Sequence, residues 1–131
     1  MPVEETDTGT FIFNSKDLCM IDHVPDLISA GITSFKIEGR VKTEYYVACV
    51  VAAYRRAIDA CFSDLGEYER ILPELREEVC KVSHRPYFTG FYYGDQKSES
   101  MNFNESGYIR DYEVSGIVTG YDYVRGCVVL S

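Results

Sequence analysis

Phe11-Ile12-Phe13-Asn14-Ser15-Lys16-Asp17-Leu18-Cys19, then Ser34-Phe35-Lys36-Ile37-Glu38-Gly39-Arg40, are the two stretches that decide the fold. In each, polar residues stand directly after a β-type run. In a β/α barrel the ends of the strands are where ligands and catalytic groups are placed. Between the two stretches a helix fits from about Asp22 to Ala30. Asp22 is a capping type, Pro25 suits the first turn and Gly31 suits the exit. Val24, Leu27 and Ile28 give that helix one apolar face.

Outward from this core the pattern repeats. Thr33 to Ile37 reads as a strand that Glu38-Gly39-Arg40 ends. Thr43 can cap a long helix from about Glu44 to Phe62, with Val47, Val50, Val51, Tyr54, Ile58 and Cys61 at helical spacing on the buried face. Arg55, Arg56 and Asp59 mark its wet face. Strand, loop, helix, strand, loop, helix is the unit of a parallel α/β fold. Two units cannot close a barrel. This first half therefore reads as the tail of something larger; that it is the C-terminal β/α units of a TIM-like barrel is what the resemblance given below implies. Residues 1–10 read as a polar lead-in, and Asn14 to Asp17 as a polar loop.

Ser63 to Glu67 reads as a loop. Pro73 can open a further helix to about Lys81, with Leu72, Leu75 and Val79 on one side and a Glu-rich solvated face. Residues 83–94 are aromatic and punctuated by Gly and Pro, and residues 95–107 are polar and loop-like. Tyr108 to Thr119 and Tyr123 to Leu130 read as paired strands around a turn near Gly120 to Asp122. Residues 1–82 are thus expected to form barrel units with closing helices. Residues 83–131 are expected to form a linker and the start of an incomplete all-β domain. An apolar last strand with an unpaired edge predicts a chain cut at both ends.

The totals bound the chemistry. The 131 residues are 46% hydrophobic, enough for one core, with 11 Tyr, 7 Phe and no Trp. The net charge of -8 argues against this piece alone binding nucleic acid strongly. Five cysteines at irregular spacing form no disulfide ladder. No long apolar run and no signal-peptide layout occur, so a cytoplasmic, reducing setting without membrane contact is expected.

Lys36 and Glu38 alternate with Phe35 and Ile37 and so share one strand face, which in a barrel points inward near the catalytic mouth. Arg40, just past the strand, could clamp a carboxylate in bidentate fashion. The bland alternative is a structural ion pair. Asn14, Lys16 and Asp17 are candidates for substrate contacts, with loop capping as the alternative. Cys49, Cys61, Cys80 and Cys127 fit core or partly buried positions. No Cys-x-x-Cys pair supports zinc. His23 and His84 belong to no nucleophile motif; His84 with Arg85 reads as hinge packing. The run from Tyr87 to Tyr93 could stack bases, but inter-domain packing is the favoured reading because few basic residues interleave.

Several unusual words in order carry a resemblance. Asn14 to Cys19, Ile21-Asp22-His23, Ala30-Gly31, Ser34 to Arg40, Tyr45-Tyr46-Val47, Ser83-His84-Arg85-Pro86-Tyr87 and Thr89-Gly90-Phe91 together resemble the collagenase-like peptidase family of unassigned mechanism. Several members of that family are RNA hydroxylases that use prephenate, acting on a tRNA wobble uridine or a ribosomal RNA cytidine. The resemblance implies a four-cysteine iron–sulfur (4Fe-4S) cluster with Cys19 as one ligand. It implies an upstream Cys-rich barrel portion, while the strand-face reading makes Lys36, Glu38 and Arg40 the catalytic candidates. Prephenate carries two carboxylates, which suits Arg40. The expected function is that of a fragment, inactive alone, of a prephenate-dependent hydroxylase forming 5-hydroxyuridine in tRNA. The alternatives are proteolysis, as the family's historical name says, or a non-catalytic cluster-bearing subunit that partners a paralogue.

Overall fold

The computed structural model describes residues 3–6, 9–12, 14–94, 101–102, 107–113 and 115–130. They form a mixed fold of helices and small two-stranded sheets. The first strands are β1 (Val3–Thr6) and β2 (Gly9–Ile12), an antiparallel pair. The polar lead-in expected over residues 1–10 is therefore largely a hairpin. Threonine and valine suit that pleated geometry better than their polarity suggested. β3 (Asn14–Ser15) and β4 (Asp17–Leu18) replace the expected polar loop.

A 3-10 turn at Ile21–His23 leads into α1 (Val24–Ser29), with Pro25 in its first turn as expected. Asp22 makes no capping bond; its carboxylate pairs with Arg76 instead. Gly31 exits with φ +84°, a region that only glycine enters without strain.

Residues 32–39 carry no strand ladder, although Thr33 to Ile37 has the sequence of one. No other strand lies alongside them among the described residues, and a ladder needs a partner. The period of two survives: Phe35, Ile37 and Gly39 are half-buried while Lys36, Glu38 and Arg40 are exposed.

α2 (Glu44–Ser63) begins where Thr43 accepts a hydrogen bond from the Tyr46 N–H at 3.1 Å. Its buried face is the expected one only in part: Val50 is buried and Tyr54, Ile58 and Cys61 pack against the core. Val50, Ala53, Ala57 and Ala60 are buried, whereas Val47 and Val51 are exposed and Tyr54, Ile58 and Cys61 only half-buried. Alanine wins because α3 (Leu65–Cys80) lies against that stripe, and small side chains let two helices approach.

The loop expected over Ser63 to Glu67 shrinks to one residue. Asp64 ends α2 and caps α3, its carboxylate accepting from the Gly66 N–H. Pro73 therefore lies inside α3 rather than at its start. It sits on the exposed side, and the Asp64 cap begins the helix two turns earlier. Ile21, Val24, Tyr68, Ile71, Leu75 and Val79 complete the core with the alanines. Tyr68 buries its ring and donates to the Ile21 carbonyl at 2.8 Å, so the hydroxyl is satisfied.

β5 (Tyr87–Phe88) runs parallel to β4. β6 (Met101–Asn102) pairs with β3. His84 is buried, stacks on Tyr87 at 4.0 Å and bridges to Ile109, so it packs internally. β7 (Val118–Asp122) and β8 (Cys127–Leu130) form the last hairpin. Its turn is Tyr123 to Gly126 rather than Gly120 to Asp122, because Gly126 supplies the positive φ of +66° and Asp122 caps the turn through the N–H groups of Val124 and Arg125. Cys49 and Cys61 are half-buried as expected, but Cys80 and Cys127 are exposed: Cys80 ends α3 and Cys127 lies on the open hairpin. The loop expected over residues 95–107 lies mostly outside the described residues. Among the described residues no helix is long and apolar enough to cross a membrane.

Candidate functional site

The cleft above β4 forms because a parallel pair brings distant segments together. The Asp17 N–H donates to the Pro86 carbonyl and the Cys19 N–H to the Phe88 carbonyl, each at 3.0 Å. This sets Arg85 beside Asp17. The guanidinium grips one carboxylate oxygen from Nε at 2.8 Å and Nη2 at 2.7 Å, while the Arg85 backbone N–H takes the other at 3.0 Å. Lys42 Nζ completes the cluster at 3.5 Å from Asp17. Burial pushes the Asp17 carboxyl up, but the two Arg85 hydrogen bonds and the Lys42 charge outweigh it and hold it below the usual carboxylate range.

Lys42 also donates to the Ser83 carbonyl at 3.4 Å and lies near the rings of Tyr108 and Tyr46, at 4.5 and 5.0 Å from their centroids. Residues 39–42 are led into place by a turn in which the Lys42 N–H donates to the Gly39 carbonyl at 2.9 Å. Glycine is required there by contact: a Cβ at position 39 would stand 2.7 Å from the stiff, β-branched Val47 side chain.

The cleft has a volume of about 530 Å³ and falls in the size range of small-molecule sites. Lys16, Lys36, Arg40, Lys42 and Arg85 line it with Asp17 and Glu38. Five of the chain's 13 basic residues thus meet two of its 21 acidic ones, a local balance of +3 in a chain of -8. Asp17 is already neutralised by Arg85 and Lys42. Glu38 accepts from the Arg40 N–H at 2.8 Å, which fixes the turn it belongs to. Among the described residues Lys16, Lys36 and Arg40 make no ion pair. The site can therefore take an anion with more than one charge.

Of the residues expected from sequence, the structure brings Lys16, Asp17, Lys36, Glu38 and Arg40 into this one cleft. Asn14 lies in β3, its backbone opposite Asn102. Cys19 lies one step behind the wall. Its Sγ is 3.8 Å from the Tyr54 hydroxyl, which lines the cleft and also accepts from the Met20 N–H at 2.8 Å. Burial pushes the Cys19 thiol up. Among the described residues no group of three His, Cys, Asp or Glu side chains could hold a metal. These residues alone do not make a cluster site.

Sequence reasoning missed Lys42 and Tyr108 and treated Arg85 as hinge packing. The signal was slight: a Lys one residue before a helix cap, and an Arg inside the Ser83 to Tyr87 word. It also read Tyr87 to Tyr93 as packing. Tyr87 and Phe88 are half-buried, but Phe91, Tyr92 and Tyr93 are exposed.

The described residues thus form a mixed α/β scaffold with a cationic cleft beside β4. Residues 2–102 match the model of Peptidase family U32, and the chain belongs to that family. It is 39% identical over 112 residues to tRNA hydroxylation protein P1 of Bacillus subtilis, covering 86% of this chain and 26% of that protein. It is 38% identical over 94 residues to tRNA hydroxylation protein P2 of the same organism, covering 70% and 30%. It is 33% identical over 101 residues to a protein named Collagenase from Porphyromonas gingivalis, covering 76% and 24%. The chain thus spans about a quarter of the length of these relatives. No solved structure matches it.

Proposed function

We propose that this chain is part of a tRNA-hydroxylating protein and supplies the anion-holding wall of its active site. One observation carries the reading: the local balance of +3 in the cleft beside β4, in a chain otherwise strongly acidic. The names of the two Bacillus relatives support it. In its finer form the reading is prephenate-dependent formation of 5-hydroxyuridine at the wobble position. Lys36 and Arg40 bind and orient the two carboxylates of prephenate, with Arg40 as the bidentate clamp, and Lys16 is left for a further substrate contact. The Asp17–Arg85–Lys42 cluster holds the wall in shape. Glu38 fixes the Arg40 turn.

The iron–sulfur part of the reading gives Cys19 one thiolate position, with three further ligands from parts of the full protein outside this chain. An iron–sulfur cluster supplies redox chemistry when bound. The fold reading is of barrel units followed by the first strands of a β domain.

Nucleoside mass spectrometry of tRNA tests this in cells lacking the full-length gene, complemented with wild type or Cys19→Ala. The expected result is loss of hydroxyuridine that only wild type restores. Unchanged tRNA on deletion overturns it. Two other readings have their own observations. The relative named Collagenase favours proteolysis, which predicts gelatin cleavage that survives removal of iron. Similarity to two proteins of one organism favours a paralogue partner, which predicts a stable complex of unlike subunits.

A further inference from the structure

We propose that Tyr92 and Tyr108 form an aromatic wall of the cleft that holds an unstacked base of a single-stranded RNA loop. The inference rests on the RNA reading above and adds to it the residues that would hold the base.

Neighbouring tyrosines show the contrast. Tyr93 is used internally: its ring lies 4.3 Å from His23 and its hydroxyl donates to Asp26. That anchors the turn at residues 90–94 onto α1. Gly90 shapes the start of the turn with φ +64°, and a Cβ there would press on Leu18 at 3.2 Å. Tyr92, one residue before the anchor, is left lining the cleft with 62% of its surface exposed.

Tyr108 is held from the other side of the chain. Its neighbour Ile109 exchanges two backbone hydrogen bonds with His84, at 2.7 and 3.3 Å. Lys42 stands 4.5 Å from its ring centroid, and Lys42 is itself fixed by Asp17 and Ser83. Tyr108 is still 44% exposed. Tyr108 is thus placed by Lys42 and Tyr92 by the anchored turn that carries it, and both stay exposed.

Exposed aromatic rings beside cations match one ligand chemistry well. A base offers a π face to the rings, and its phosphate offers charge to Lys16, beside the Lys36 and Arg40 cations that hold the carboxylates in the reading above. An apolar protein segment would instead have to desolvate those cations. Charge complementarity therefore selects RNA.

The test uses the full-length protein and an anticodon stem-loop carrying 2-aminopurine at the target position. Wild type, Tyr92→Ala, Tyr92→Phe and Tyr108→Ala are compared for fluorescence quenching, RNA affinity and the KM values for tRNA and for prephenate. Tyr92→Ala is expected to weaken RNA binding by roughly 5- to 150-fold and remove the quenching. Tyr92→Phe should stay near wild type and the KM for prephenate should hold. Unchanged RNA binding and quenching in both alanine variants overturns the aromatic wall, even if wild type hydroxylates tRNA. Should wild type bind the stem-loop without hydroxylating it, the activity reading fails, and the variants still decide the wall. Failure of wild type to bind the stem-loop overturns the wall outright.

Discussion

Between α2 and α3, inward-facing apolar side chains meet one another, whereas the cleft above β4 keeps five cations and four tyrosines on its walls. The helix layer is made of alanine, leucine, isoleucine and valine at helical spacing and buries its few polar atoms with partners. The cleft gathers like charges, which oppose compaction. The difference teaches where each property resides. The helices hold the molecule together, and the cleft spends part of that stability on keeping charge available.

The comparison breaks most directly at Leu75, which is fully buried. Leu75→Ala in the full-length protein should cost about 2–5 kcal/mol in chemical denaturation, because it leaves a cavity between helices. A cost under about 1 kcal/mol would show that α2 and α3 do not form the stabilising layer.

Asp17 sharpens the boundary between the two regions, since it serves the cleft but is nearly buried. Asp17→Asn should cost about 2 kcal/mol, less than a fully buried pair, by leaving Arg85 and Lys42 without their charge partner. The pH dependence has a definite sign. The folded carboxyl lies below its ordinary value of 3.8. Its contribution is therefore present above that value and lost as pH falls through the folded pKa. Wild type should lose stability through that acid range more steeply than Asp17→Asn, as thermal melts at stepped pH would show.

Thr43→Ala removes the α2 cap and should cost about 1 kcal/mol, measured by the same melts. The smallest effect belongs to Arg55→Ala. Arg55 and Asp59 pair across one exposed turn, so removal should shift stability by less than about 0.5 kcal/mol.

Local rules were legible in sequence, and long-range ones were not. The Thr43 cap, the Pro25 start and the Gly31 exit are each decided within a few residues. The alternation of Lys36 and Glu38 with Phe35 and Ile37 survives as alternating exposure even without a ladder. The buried face of α2 was legible at Val50, Tyr54, Ile58 and Cys61 and misread at Val47 and Val51, which outrank alanine in hydrophobicity while the fit of α3 favours the smaller side chain. Pro73 was misread because a proline that suits a first turn also fits the exposed side of a longer helix. The Asp17–Arg85 pair spans 68 residues and depends on β4 meeting β5, which no local pattern announces.

The double variant Lys36→Gln with Arg40→Gln, made in the full-length protein, tests the separation of binding from stability. Melting temperature and tRNA hydroxyuridine content are read on the same preparation and strain. The account predicts a melting temperature near that of wild type and loss of the modification. Full modification with both cations removed would contradict it, as would a collapse in melting temperature.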